Sequence, residues 1–415
     1  MAGSLTSDAI ARVFREEYGR VVAGLVRLLG NIDLAEESVQ EAFVVATQRW
    51  PETGLPPNPG AWITVTARNR ALDRLRREST RAQREQRATM TDDQHDPFDD
   101  DALDDTFDAA SIGDDRLRLI FTCCHPSLAA DAQVALTLRL LGGLHASEIA
   151  RGFLVPEATM RQRITRAKRK IAANNVPYRV PEATELPARL AAVLAVIYLV
   201  FNEGYVATAG DDLIRDDLCR EAIRLGRILA DLMPDEPEAI GLLALMLLTE
   251  ARRAARSSST GELVQLRDQD RRRWDQGLIG EGHDLVRACL RRNHPGPYQL
   301  QAAINAVHTD APVASDTDWD QVVQLYDQLM QIAPSPVVAM NRAIAIAELD
   351  GPDVGLAALD GLPLDQYQPY HSTRADLLRR AGRTADAVAE YQKALEITTN
   401  DAERRFLARR LAEVT

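Results

Sequence analysis

Cysteine is scarce in this chain. Cys123, Cys124, Cys219 and Cys289 show no CxxC spacing, which excludes a disulfide framework and a zinc knuckle. Cys123-Cys124-His125 has the composition of a soft metal corner, but reduced, packed thiols are expected there, with no metal and no cofactor. Long apolar runs are also missing. The longest, Leu190–Phe201, is too short for a bilayer, which takes about 20 residues. Met1–Asp8 lacks the basic-then-apolar start of a secretory signal, so the expected location is cytoplasmic, with no membrane partner. Runs of β-branched residues are few, which argues against a doubly wound sheet. HExxH, a nucleophile elbow and a phosphate-cradling glycine loop are absent, and His283, His294, His308 and His371 are scattered. An enzymatic reading would have to pair them with acids such as Glu203 or Glu281, so no catalytic residue is assigned and an enzyme is not expected.

What is present is Ala, Leu and Arg with helical periodicity almost everywhere, so the fold class should be all-α. At 415 residues the chain exceeds what one core organises, and two to four domains are expected. The net charge is −12, so the average field repels phosphate, and DNA binding would need a partner that supplies affinity.

Against that acidic background, Leu144–Ile171 reads as a helix, a tight turn and a strongly basic helix. Met160, Ile164, Ala167 and Ile171 recur at three- and four-residue intervals and make one apolar stripe, to be packed on the preceding helix Ser147–Gly152. The opposite face carries Arg161, Gln162, Thr165, Arg166 and Arg169, with Arg163, Lys168 and Lys170 alongside and no acid between Glu157 and Glu182. Such a face suits phosphates and base edges at helix-turn-helix spacing.

Upstream, Asp8–Leu29 fits an amphipathic helix stopped at Gly30-Asn31. Asp33 is the expected cap of the next helix, Leu34–Arg49, which should expose Glu36, Glu37, Gln40 and Glu41 as an acidic docking face. Trp50–Gly60 holds enough proline and glycine to favour a stiff loop. Ala61–Arg87 is again helical and basic, with Arg68, Arg70, Arg74, Arg76, Arg77, Arg81, Arg84 and Arg87 against Asp73, Glu78 and Glu85. Between Arg87 and Arg116 there is no Lys or Arg while aspartates accumulate from Asp92 to Asp108, which predicts an acidic disordered linker.

The segments Asp33-x-Ala35-Glu36-x-x-Val39-Gln40-Glu41-Ala42-Phe43 and Ala61-Trp62-x-x-x-x-Ala67-Arg68-Asn69-x-Ala71-x-Asp73-Arg74-Leu75-Arg76-Arg77 occur in this order. They are followed by Gly143-Leu144-x-x-x-Glu148-Ile149-Ala150 and Thr159-Met160-Arg161-Gln162-Arg163-Ile164-x-Arg166-Ala167-Lys168-Arg169-Lys170. Together they resemble an extracytoplasmic-function sigma factor of bacterial RNA polymerase. The resemblance implies core polymerase and promoter DNA as partners, with Glu36, Glu37, Gln40 and Glu41 toward polymerase. Asn58 and its loop would capture an unstacked base, while Arg68, Asn69, Arg70, Arg74 and Arg77 hold the adjoining backbone. Glu157, Thr159, Arg161, Gln162, Arg163, Thr165, Arg166 and Arg169 would serve the minus-thirty-five box. By the same resemblance the linker would thread the polymerase's nucleic-acid channel, anchored by Phe98, Leu103 and Phe107. The chain departs from the family pattern in the turn, where Leu154 replaces the usual glycine.

The implied domains are 8–87, sigma domain 2; 88–112, the acidic linker; 113–175, sigma domain 4; 186–310, a helical extension; and 316–415, tetratricopeptide-like repeats. The repeats are read from His371–Asp401, with Ala375, Leu378, Gly382, Ala387, Tyr391, Ala394 and Leu395 at the small and large packing positions. A looser unit runs from Trp319 to Leu349. Helices are expected over Leu186–Tyr205, Asp211–Leu232, Pro237–Ala255 and Leu263–Arg292. A regulatory protein or peptide is the expected partner of the repeats, and the extension is expected to regulate the sigma module in cis. The rival function is a stand-alone helix-turn-helix regulator with a protein-binding repeat domain, which would not need the second basic helix.

Overall fold

A computed structural model describes residues 7–87, 109–153, 155–205, 216–256, 258, 263–398 and 401–415. The expected linker's aspartates up to Asp108, its Phe98, Leu103 and Phe107, and Leu154 of the turn lie outside them. Every described element is helical, with no strand among the described residues, as the periodicity predicts. The chain divides into two compact units, 1–196 and 197–415.

The first unit begins with α1 (Ser7–Leu29), α2 (Ile32–Thr53) and α3 (Pro59–Arg87). These bury Val21, Val22, Leu25, Val39, Ala42, Phe43, Ile63 and Ala67 between them. Gly30, at φ +63°, ends α1 in a backbone region that costs glycine little. Asn31, rather than Asp33, caps α2: its side-chain oxygen accepts from the Leu34 amide at 3.1 Å, which satisfies an orphan donor of the first turn. α2 also runs four residues beyond the expected Arg49, through Pro51. A proline in the last turn forfeits only one helical bond. The neighbouring Trp50 is buried, with its ring edge-on to Trp62 at 5.3 Å.

The second half of this unit holds α4 (Ala109–Cys123), α5 (Ala130–Leu140), α6 (Ala146–Gly152) and α7 (Glu157–Ala173). Residues 109–112, expected at the end of the linker, already belong to α4. Met160, Ile164, Ala167 and Ile171 are the buried residues of α7, the stripe that the spacing defines. Each large side chain so buried contributes about 1.5–3 kcal/mol. α8 (Leu186–Tyr205) contains the boundary between the units. It is one helix long and apolar enough to cross a membrane by length and composition. Leu190, Val193, Val196, Ile197, Val200 and Phe201 on it are nonetheless buried.

The second unit continues with α9 (Asp216–Leu232), α10 (Pro237–Glu250), α11 (Arg253–Arg256), α12 (Gln276–Arg292), α13 (Pro297–Asp310), α14 (Trp319–Ile332) and α15 (Pro336–Asp350). It ends with α16 (Pro352–Leu359), α17 (Gln368–Arg380), α18 (Thr384–Ile397) and α19 (Asp401–Ala412). α10 is apolar all round and packs on α9, α12 and α13, as such a helix must. From α14 onward each helix packs mainly on its neighbours in sequence. The helix expected over Leu263–Arg292 begins instead at Gln276. Two short 3₁₀ turns precede it, and Asp275 caps it by accepting from the Gly277 and Leu278 amides. In the α17–α18 hairpin Ala375, Leu378, Ala387, Tyr391 and Ala394 are buried, and Gly382 makes the turn at φ +76°.

Candidate nucleic-acid and polymerase interface

α7 presents two faces with different chemistry. Opposite its buried stripe, Glu157, Thr159, Arg161, Gln162, Thr165, Arg166 and Arg169 are exposed, and Arg163 is half-buried. The Arg161 guanidinium bonds the Glu157 carboxylate one turn earlier, with Nε to Oε1 at 3.0 Å. This pair holds an exposed arginine in the first turn without neutralising the row behind it. The Thr165 hydroxyl donates to the Arg161 carbonyl at 2.9 Å, and Arg163 meets Asp131 of α5 at 3.0 Å. The face can offer bidentate guanidinium donors and amide groups to an anionic, edge-patterned ligand.

α3 offers a second basic row. Asn69, Arg70 and Arg77 are exposed, and Arg68 and Arg74 half-buried. Arg74 is tied to Glu37 of α2 by a 2.6 Å ion pair. Asn58 caps α3, accepting from the Ala61 amide at 3.0 Å. That single bond fixes the Asn58 side chain at the end of the exposed Gly54–Asn58 loop while its amide donors remain available.

The acidic face of α2 differs from the expected one. Glu37 and Glu41 are exposed and Gln40 half-buried, but Glu36 is only 5% exposed. Its Oε1 accepts from Arg139 Nε at 2.5 Å and from Gln40 Nε2 at 2.9 Å. Its other oxygen takes Lys168 of α7, which also reaches Asp33 at 2.8 Å. Burial opposes the charge on Lys168, yet Glu36 and Asp33 outweigh it and hold the ammonium above its usual range. Glu36 thus lies under cations from α5 and α7, 103 and 132 residues away, which helix periodicity in α2 cannot reveal. One signal was available: Arg139 is a single cation in a helix otherwise buried from Gln133 to Leu140, and such a charge requires a partner.

Asp115 also escaped sequence reasoning. It is 1% exposed and bonds Arg27 of α1 and Arg118 of its own helix, both at 2.8 Å. The Tyr178 hydroxyl lies 2.7 Å from the Ala23 carbonyl and 3.0 Å from that of Asp115. The chain that leaves α7 is therefore folded back onto this unit at Tyr178. Cys123 and Cys124 are buried thiols. Burial pushes both up, Cys124 to about 12, and the Cys124 Sγ contacts the Thr137 hydroxyl at 3.6 Å. His125 does not join them, because its Nδ1 is engaged with Ser127 at 2.8 Å.

Three family models match the chain: Sigma-70 region 2 over residues 13–81, Sigma-70 region 4 over residues 118–171, and a family of unknown function, DUF6596, over residues 189–290. An uncharacterized protein from Rhizobium meliloti, R00370, is 43% identical over 396 residues, 94% of this chain and 92% of that protein. The ECF RNA polymerase sigma factor SigK of Mycobacterium ulcerans is 28% identical over 163 residues, 39% of this chain and 83% of SigK. SigK of Mycobacterium tuberculosis H37Rv is 28% identical over 164 residues, with the same coverage. With both sigma regions in order, and with a relative that matches along nearly its whole length, the chain belongs to the extracytoplasmic-function sigma factors, with a DUF6596 domain fused behind the sigma regions.

Proposed function

We propose that the protein binds core RNA polymerase through α2 and directs it to promoters read by α3 and α7, and that its second unit regulates this in cis. The carrying observation is α7, whose buried stripe leaves a continuous exposed row of Arg161, Gln162, Thr165, Arg166 and Arg169. Arg161 and Gln162 stand in its first turns and are assigned to base edges. Glu157, Thr159, Arg163, Thr165, Arg166 and Arg169 are assigned to positioning on the sugar-phosphate backbone. Asn58 and the α2–α3 loop are assigned to an extruded base, whose unstacking costs a few kcal/mol. Arg68, Asn69, Arg70, Arg74 and Arg77 hold the strand beside it. Glu37, Gln40 and Glu41 form the polymerase face, with Glu36 beneath it held by Arg139 and Lys168. The setting is the cytoplasm, where polymerase and promoters are.

The second unit is tethered to the first by one continuous chain, so its effective concentration at the sigma regions is near millimolar, and weak contacts suffice for regulation. Its sequentially packed hairpins, read as tetratricopeptide-like repeats, suit a protein or peptide ligand. Co-purification tests the first claim: the tagged full-length chain should retain the core polymerase subunits. Recovery of promoter DNA without polymerase would favour a stand-alone regulator. Charge reversal at Glu37 and Glu41 should weaken core binding while circular dichroism stays unchanged. Undiminished binding by the folded double variant would contradict the assignment of that face.

A further inference from the structure

Half-buried arginines of the second unit meet carboxylates at several places: Arg253 pairs with Glu250, Arg342 with Asp327, Arg374 with Asp360 and Arg380 with Glu348. Arg252, half-buried in the turn between α10 and α11, does not. Among the described residues it pairs with no carboxylate, and its side-chain bond runs from Nη2 to Asn305 Oδ1 of α13 at 2.6 Å. Asn305 is itself fixed, because its amide nitrogen donates to the Gln301 carbonyl at 2.9 Å. Its oxygen therefore holds the guanidinium in one orientation. Nη1 is left without a protein partner and, unlike Nε, is open to solvent. The other arginine close by, Arg271, is engaged by the His308 and Ala311 carbonyls at the end of α13. A charge taken partly out of water without a counter-charge costs stability, and no neighbouring group offsets it.

Neutral donors surround the same point. Tyr298 of α13 and Tyr326 of α14 lie deep enough that burial pushes both hydroxyls up to about 12. Yet neither hydroxyl bonds a protein group, and neither is sealed from solvent. The Arg252 charge acts on Tyr326 and on His308. The His308 ring, edge-on to Trp319, has no hydrogen-bond partner among the described residues. Burial, then Arg252 and Arg271, keeps that imidazole neutral, so the local field is positive. Tyr198 of α8 adds an aromatic wall, its ring edge-on to Tyr298 at 5.4 Å. Segments far apart in sequence thus bring one uncompensated cation, unpartnered hydroxyls and aromatic rings together.

We propose that Arg252, with the Tyr298 and Tyr326 hydroxyls, binds an organic monocarboxylate whose apolar body lies against the Tyr198 and Tyr298 rings. Charge decides the class. One uncompensated guanidinium matches one negative charge, and the edge that Asn305 does not hold suits carboxylate oxygens. A phosphate dianion would bring a second charge with no second unengaged cation to meet it. The remaining donors are neutral, and each phenol supplies a hydroxyl and an apolar ring together. Ligand sites are mostly apolar with a few convergent polar groups, which is the composition found here. The site lies wholly within the second unit, so it does not depend on the sigma reading of the first.

The test follows urea unfolding of the full-length protein against benzoate at fixed ionic strength, with saturation-transfer NMR of the benzoate ring as a direct readout of contact. Binding to the folded form alone raises the midpoint progressively with ligand concentration. Benzoate should therefore raise it, and benzamide, of the same shape without the charge, should not. R252Q should abolish both the rise and the saturation transfer. Without ligand it should unfold at no lower urea concentration than the wild type, because it removes an uncompensated charge. Tyr298→Phe and Tyr326→Phe keep the charge and the rings, and each should raise the half-saturating benzoate concentration several-fold. N-acetyl-alanyl-phenylalanine, as the free acid and as the C-terminal amide, separates two sources of the carboxylate. Tighter binding of the free acid than of benzoate, lost in the amide, identifies a peptide end, and weaker or equal binding identifies a free organic acid. The absence of a benzoate response, an equal response to benzamide, or a response that survives R252Q would overturn the site. So would a clear loss of stability in ligand-free R252Q, which would make Arg252 a structural tie to Asn305.

Discussion

Arg161 and Gln162 are the residues from which most can be learned, because they stand exposed in the first turns of a helix whose other face is core. Each substitution by Ala should cost about 1–3 kcal/mol of promoter affinity and relax base preference at one position of the upstream box. Arg166→Ala should weaken all promoters alike. Unchanged promoter choice in the Arg161/Gln162 double variant would remove the base-reading assignment. His308 supports a prediction of another kind. Burial, with Arg252 and Arg271 nearby, lowers its imidazole from 6.5 to about 3, and its ring lies edge-on to Trp319 at 5.2 Å. The unfolded chain takes up a proton below pH 6.5 and the folded one does not until about pH 3, so stability is complete above 6.5 and falls as the pH drops through that window. The loss should be about 2 kcal/mol by pH 5, with His283, lowered chiefly by burial, adding in the same direction. Urea unfolding of His308→Gln should show a shallower fall between pH 7 and 5, and an identical slope would contradict the buried neutral imidazole.

Helices as elements were legible wherever an apolar stripe had one obvious side. The α7 stripe needed only its three- and four-residue spacing, and the buried small and large positions of α17–α18 emerged the same way. What periodicity could not supply was any contact between distant segments. It left Glu36 on the surface because α2 alone has no second partner for that face, and it ran one helix across Leu263–Arg292 because the Asp275 cap competes with composition that is otherwise helical. The sigma resemblance was legible in ordered motifs, whereas the covering of Glu36 left one local hint, the lone cation Arg139 in the apolar run of α5. α10 packs closely on α13, where a Cβ at Gly241 would fall 2.6 Å from the Gln299 Cγ and 2.8 Å from its backbone nitrogen. Alanine there gains up to about 1 kcal/mol of helix propensity but forces a backbone apart, at about 1–3 kcal/mol. Gly241→Ala should therefore lower the urea midpoint of the second unit, and an unchanged or raised midpoint would show that the α10–α13 contact yields.

At the scale of the whole chain, the boundary of the first unit at Val196 sets where the protein should be cut. Tyr178 bonds back to Ala23, and Arg189 donates to the Phe121 carbonyl at 2.6 Å, so truncation near residue 181 would strip contacts from the sigma regions themselves. Removal of residues 197–415 should leave the first unit helical and change transcription strongly in one direction. Equal transcription by both lengths over several salt concentrations would make the second unit an independent binding module. All of this depends on one activity, which a single assay measures: transcription of fragmented genomic DNA by purified core polymerase with and without the full-length protein, read as RNA 5′ ends. A sigma factor should create a discrete set of new 5′ ends, each preceded by two shared boxes at constant spacing. If core polymerase that responds to a control sigma factor gains no new 5′ ends with this protein, it does not initiate transcription.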